Sequence, residues 1–574
     1  MVRRWLHVLI LTAVAVPSGA ATARAGQAAA PTPAPAAAAG IPVESDLVLQ
    51  KCGGCHRPDE QKRMTRISFR RASPENWELT IKRMVGLHGI ALAPAEARAI
   101  LKYLADNHGL APEELRPARW EAERRQDDFT YAADASTTQI CSVCHSLGRV
   151  LTERRTKEEW DLLIAMHRGY YPGVDSQPMH QGQGFRRTRR TDAAPGADNR
   201  DPVVKVVAHL STAYPLITPE WTAWSAAMRP ASVAGRWAVA GYARGKGPVY
   251  GEFSVQPDPS GPDAFITQTT LTVAGTTIVR RGRATVYTGY QWRGRASAEG
   301  ETGSWREVML IERNNREMSG RWFTGAHDEI GLDVTLTRVG GDPLVSGASL
   351  LSVRTGTTQM LSIYGANLPA SIAPEAVSLG SGVRVANVTP VSAARLDVEV
   401  SVAADARIGP RDIVVAGAIK PAALVVYGTV DAIKVLPEAG FARVGGIVYP
   451  KQFAQFEAIG FTNGPDGEPG TKDDLMLGPV EATWTVEEYT STFGDDDRQF
   501  SGSIDAAGFF TPAVDGPNPE RSGNRNNIGD LWVVAQYTPA GAEAKPLKAR
   551  GFLLVAPPVF MRWYGPRVDA GGEK

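Results

Sequence analysis

The chain has 574 residues, of which 43% are hydrophobic and 21% charged, and its 62 Lys and Arg nearly match its 61 Asp and Glu. The formal charge of +1 gives no whole-chain electrostatic case for a nucleic-acid partner. The length predicts roughly four domains rather than one, with the composition of an ordinary globular protein.

The N-terminus carries an export pattern. Arg3 and Arg4 precede the apolar run Val8 to Val16, and Ala23-Arg24-Ala25 has the small-X-small form of a cleavage site. Residues 1–25 therefore read as a cleaved signal peptide; the apolar run is too short to span a bilayer, and no later segment approaches that length. An Ala/Pro-rich linker follows over residues 26–42.

Beyond it, the pentapeptide Cys-X-X-Cys-His occurs twice, as Cys52-Gly53-Gly54-Cys55-His56 and as Cys141-Ser142-Val143-Cys144-His145. These copies use all four cysteines of the chain. Two thiols at this spacing add to the two vinyl groups of one porphyrin, and the next histidine becomes the first axial ligand of its iron. In an exported protein four cysteines could instead form disulfides, but a Cys-X-X-Cys bridge closes a very short loop. A four-cysteine zinc site spaces its pairs by roughly 15–20 residues, whereas these begin 89 positions apart. Neither alternative accounts for the histidine after each pair. The expectation is two covalently bound haem c groups, held by Cys52, Cys55 and His56 and by Cys141, Cys144 and His145.

The segments after the motifs repeat. Arg70-Arg71 precedes Trp77 and Met84, and Arg154-Arg155 precedes Trp160 and His167. Further on, Ile100 to Glu113 resembles Val206 to Glu220. This predicts a duplicated helical cytochrome c unit over residues 43–118 and 119–229. The offset is 83 at the tryptophans and 106 at the later helices, so the second unit gained a Gly-, Pro- and Arg-rich loop between 169 and 203. Arg186, Arg187, Arg189 and Arg190 are expected to form a solvated face of it, with a docking patch for an acidic partner as the alternative. Trp77 and Met84, like Trp160 and His167, are seven apart and share a helix face. Met84 and His167 are thus the expected sixth ligands, giving a His/Met and a His/His iron. His88 and Met166 are the alternatives. The tryptophans read as core.

After Pro230 helical periodicity stops, and short alternating runs separated by Gly, Asn, Asp and Pro take over. Three all-β domains are expected: a barrel or sandwich over 230–343, an immunoglobulin-like sandwich without a disulfide over 344–428, and a C-terminal β-domain over 429–565. The loop Asn463 to Asp474 offers alternating oxygens for Ca²⁺ between Asp466 and Asp474, but has no glutamate at the EF-hand position and reads as a surface loop. Asp495-Asp496-Asp497 reads as a solvated turn. His327 is the only histidine after His209, so these domains show no candidate catalytic constellation.

The whole arrangement resembles the alpha subunit of quinohemoprotein amine dehydrogenase. The resemblance rests on the export signal, the two haem motifs with their repeat, the domain order, and the C-terminal phrases Asp515 to Arg521, Asn526 to Val534 and Leu554 to Pro557. It implies a periplasmic heterotrimer that deaminates primary amines oxidatively, with a small subunit bearing cysteine tryptophylquinone and a β-propeller subunit. Electrons would pass through the two haems to a soluble acceptor, a cytochrome c or cupredoxin. The chain has no cysteine to spare for a quinone crosslink, which agrees with a catalytic centre on another chain. A stand-alone dihaem carrier or a haem-based sensor with β interaction domains is the other class left open.

Overall fold

The computed structural model describes residues 39–116, 133–141, 147–170, 200, 202–301, 303–464, 466–489, 495–539 and 545–558. The expected signal peptide, Cys144, His145, the arginines at 186–190 and most of the 169–203 insert lie outside them.

The described residues before Pro230 form helices α1 (Asp46–Cys52), α2 (Pro74–His88), α3 (Pro94–Asn107), α4 (Pro112–Leu115), α5 (Ala135–Cys141), α6 (Gly148–Leu151), α7 (Lys157–Tyr170), α8 (Pro202–Ala213) and α9 (Pro219–Ala227). Local chemistry sets their ends. Ser73 caps α2 through its side chain, Pro74 fills the first turn, and Gly89 ends the helix at φ 69°.

This region is not all-α, as the sequence had suggested. Two short strands, β1 (Arg70–Ala72) and β2 (Glu153–Arg155), pair antiparallel, with Arg71 opposite Arg154 and Arg70 opposite Arg155. The Arg-Arg repeat takes up extended backbone because a strand sends neighbouring side chains to opposite faces. Arg71 reaches Glu114 with two bonds of 2.7 and 2.8 Å. Arg154 reaches the same carboxylate at 3.1 Å. On the other face Arg70 and Arg155 share Glu153, at 2.6 Å each. All six side chains are buried. Each guanidinium also covers an aromatic ring: Arg70 on Trp77, Arg71 on Trp221, Arg154 on Tyr214 and Arg155 on Trp160.

The ribbon lies on a local two-fold axis. Residues 83 apart in sequence are equivalent, and a contact made by one unit returns from the other. Arg66 binds Glu159 at 2.8 Å, while Asn76, the equivalent of Glu159, donates to the Arg149 carbonyl at 3.1 Å; Arg149 is in turn the equivalent of Arg66. On the axis itself Arg83 donates to the sulfur of Met166, its own equivalent, at 3.3 Å.

The remainder of the chain is mainly β. Strands β3 (Gly235–Ala243), β4 (Gly247–Pro257), β5 (Ala264–Val273), β6 (Thr276–Tyr287), β7 (Gln291–Ser297), β8 (Trp305–Ile311), β9 (Glu317–Thr324) and β10 (Ile330–Arg338) form an antiparallel meander that β10 closes by pairing with β3. Ala274 and Gly275 both have positive φ (45° and 79°), as the tight hairpin between β5 and β6 requires. Of the two expected forms, barrel or sandwich, the structure is thus the closed barrel, filled by Trp237, Phe253, Trp292 and Trp322. Leu110 and Leu115 from the helical region join that core. Around them Tyr290 donates to the Leu110 carbonyl and Thr288 to the Ala105 carbonyl, both at 2.9 Å, and Arg293 pairs with Glu75.

A two-sheet sandwich follows. One sheet runs in the order Leu344–Ala348, Thr358–Ala366, Arg395–Val402, Val383–Ser392, and the other Ser352–Arg354, Ala418–Tyr427, Gly409–Val415, Val377–Ser378. The C-terminal domain holds one four-stranded and two three-stranded sheets around Phe456, Phe510 and Leu531. There the aspartate run departs from a solvated turn. Asp497 is buried and, with Asp496, binds the buried Arg521.

Glu114→Gln strips the seam of the anion that balances two buried guanidiniums. Removing one partner of such a network costs about 3–5 kcal/mol. Denaturant unfolding followed in the helical region is expected to show an unfolding free energy lower by that margin, and so a lower midpoint, with the barrel's tryptophan signal retained.

Candidate haem sites

The first site is built at the end of α1. Ser45 caps the helix by accepting from the Val48 amide, and the helix runs into Cys52. Its carbonyl then accepts from the amides of both Cys55 (3.2 Å) and His56 (2.9 Å). This tight turn gathers the two thiols and the imidazole. At Gly53 the turn is close-packed, and a Cβ there would lie 2.3 Å from the Leu49 carbonyl oxygen. Cys52 and His56 are half-buried and Cys55 is exposed. Burial, then the neighbouring Cys55, raises the Cys52 thiol above its ordinary pKa.

His56 is oriented from behind. Its Nδ1 lies 2.9 Å from the Thr65 carbonyl oxygen, so the proton belongs on Nδ1 and Nε2 carries the lone pair that could bind a metal. Burial lowers the His56 pKa below its usual value, opposed by the Thr65 bond and aided by Arg66 and His88. The neutral, ligating form is therefore favoured.

Met84 is half-buried on α2, two turns beyond Trp77. Trp77 is 2% exposed and donates its indole N–H to the His108 carbonyl at 2.9 Å, which fits the core role expected of it. His88, the alternative ligand, ends the same helix and contributes to the electrostatics of His56. The C-terminal end of α2 therefore lies in the neighbourhood of His56.

The second site repeats the first as far as it is described. Asp134 stands where Ser45 stands and accepts from the Thr137 amide at 2.6 Å, and α5 runs into Cys141 as α1 runs into Cys52. On α7, His167 is half-buried with its Nδ1 2.8 Å from the Leu163 carbonyl oxygen, again directing Nε2 outward from its own helix. Burial lowers its pKa too, and Arg83 adds to that effect. Met166, the alternative ligand, has its sulfur on Arg83 at 3.3 Å.

The donor set fits a covalently attached haem: paired thiols, an oriented neutral imidazole, and a half-buried sulfur or imidazole donor on the helix that follows. The loop at Asp466–Asp474 fits a cation less well. Its carboxylates accept from the loop's own Glu468, Gly470 and Thr471 at 2.8, 2.9 and 2.6 Å.

Family models match the chain in four consecutive stretches. Residues 43–205 match the haem-binding domain of the quinohemoprotein amine dehydrogenase alpha subunit. Residues 230–339, 351–428 and 433–568 match its domains II, III and IV. The chain belongs to the quinohemoprotein amine dehydrogenase alpha-subunit family. The family is a subunit of a multi-subunit oxidoreductase, and its first domain binds haem. No curated protein matches the chain. Among solved structures, a redesigned β-barrel bound to DFHBI is 20% identical, covering 18% of this chain and 94% of its own at a TM-score of 0.17. A Bacteroides ovatus glucan-utilisation protein, SGBP-B in complex with a mixed-linkage heptasaccharide, is 12% identical, covering 56% and 60% at 0.19. Scores of this size carry no argument. No helix among the described residues is long and apolar enough to cross a membrane.

Sequence reasoning noted the Arg-Arg pairs but gave them no role, and it passed over Glu114 and His108. The signal was present, since each pair precedes a tryptophan at nearly the same distance. The His108 ring is fully buried beside the Arg70 backbone. Burial lowers its pKa from 6.5 to about 4. An unfolded chain takes up this proton at higher pH than the folded one, so the stability held above pH 6.5 drains away as pH falls toward 4. His108→Leu is expected to flatten the pH dependence of unfolding in that window, measured by denaturant titration at several pH values.

Proposed function

We propose that this chain is the dihaem c electron-transfer subunit of a periplasmic quinohaemoprotein amine dehydrogenase. It takes electrons from a quinone on a small partner subunit and passes them to a soluble acceptor during oxidative deamination of primary amines. The observation that carries the reading is the pair of Cys-X-X-Cys-His motifs inside a chain matched by four alpha-subunit models. Bound haem supplies a one-electron site that switches between ferric and ferrous iron.

The residues of this chain then attach, orient and tune. Cys52 and Cys55, and Cys141 and Cys144, form the thioethers. His56 with Met84 would hold the first iron, and His145 with His167 the second. The Thr65 and Leu163 carbonyls hold the His56 and His167 rings, and burial keeps both neutral. The Arg83 bond to Met166 favours His167 over Met166 at the second site. The units 43–118 and 119–229 are the two cytochrome c modules. The immunoglobulin-like reading of the sandwich is supported by the parallel pairing of Ser352–Arg354 with Ala418–Tyr427 beside antiparallel neighbours. The β-domains fix the haem region against the quinone-bearing and propeller subunits, and cleavage after residue 25 delivers the chain to the periplasm.

A methionine ligand raises the potential relative to a second histidine, so the first haem is the higher of the two. Magnetic circular dichroism of Met84→His is expected to lose the methionine–iron charge-transfer band; its persistence assigns the ligand elsewhere. Purification from the periplasm of the native host is expected to bring the small and propeller subunits along, with amine-dependent reduction of both haems. An isolated monomer that amines do not reduce overturns the reading.

A further inference from the structure

The local two-fold places two unlike residues on its axis at the proposed distal side of the haem pair. Arg83 and Met166 are 83 positions apart, each precedes a proposed sixth ligand, and they touch through a bond of 3.3 Å from Arg83 Nη1 to the Met166 sulfur. In a symmetric duplicate the axis would hold two identical side chains. Here it holds one cation and one thioether.

We infer that Arg83 is a positioning residue that sets the potentials of both haems from the symmetry axis. This rests on the Met84 and His167 ligation proposed above. The argument is electrostatic. A ferrous iron carries one positive charge fewer than a ferric one, so a fixed cation nearby favours the reduced state and raises the potential. A cation on a two-fold axis acts on both sides at once, whereas an off-axis cation acts mainly on one. The seam around it makes this field effective. Arg66, Arg70, Arg71, Arg154 and Arg155 face only Glu114, Glu153 and Glu159 among the ion pairs described there, so the acids of the seam are already engaged and none is paired with Arg83. Its partner is a soft, uncharged sulfur, which leaves the positive charge uncompensated by that contact.

A second consequence concerns Met166. A thioether that accepts from Arg83 is held on the axis, away from the outward direction of His167. The same contact that places the cation therefore also selects the histidine as the ligand on α7.

The test is potentiometric titration of the holoprotein carrying Arg83→Met, which restores identical residues to the axis. Both midpoint potentials are expected to fall, with Arg83→Lys retaining values near those of the unsubstituted protein. Arg83→Gln reads the same loss of charge if the methionine variant binds haem poorly. Unchanged potentials in the neutral variants, with the ligand bands intact, overturn the inference while leaving the ligation standing. So does a fall confined to one haem. Absence of the methionine band from the unsubstituted protein overturns the ligation and the inference together.

Discussion

One carboxylate, Glu114, lies between two arginines that the duplication makes equivalent. Arg71 and Arg154 stand opposite each other at the centre of the ribbon, and like charges so placed repel. Burial by itself pushes the Glu114 carboxyl up; Arg71 and Arg154 more than reverse this and hold it below the ordinary range. The carboxylate is therefore ionised and engaged on both sides. Its position adds a further constraint. Glu114 also caps α4 through the Ala111 amide, and Leu110 and Leu115 on either side of it enter the barrel core. A single side chain thus joins the first unit, the second unit and the barrel.

The proposed electron transfer depends on holding its two centres still, and the seam is suited to that task. Planar guanidiniums binding carboxylates in fork geometry have few alternative arrangements. The aromatic rings beneath them exclude water, which strengthens each pairing. A hydrophobic seam of the same volume could be as stable, but it would leave the rotation of one unit against the other less defined. The ribbon specifies one register. The proposed ligand difference between Met84 and His167 would operate within a scaffold that is locally symmetric about the ribbon, so the inequality of the two sites would arise from a few positions.

The candidate attachment residues stand out because covalent haem chemistry demands contiguous sequence: two thiols and a histidine within five positions. The helices bearing Met84 and His167 were legible from the tryptophan seven residues earlier. The β texture after Pro230 was visible in its alternation and turn residues, but closure was not. Whether eight strands make a barrel or two sheets depends on β10 meeting β3, a pairing between distant residues that no local pattern encodes. The Arg-Arg pairs were left without a role for a related reason. Only Glu114, brought in from a later helix, and Glu153 next to the second pair explain their burial. Asp497 hides its role in the same way, since its partner Arg521 lies on a separate loop.

The proposal turns on the seam holding two haem irons in one fixed relation. Pulsed electron paramagnetic resonance between the ferric irons of the intact complex tests this most directly. The account predicts a single narrow iron–iron distance in the unsubstituted protein and a broadened distribution in Glu114→Gln. A broad distribution in the unsubstituted protein, or one that Glu114→Gln leaves unchanged, would contradict it.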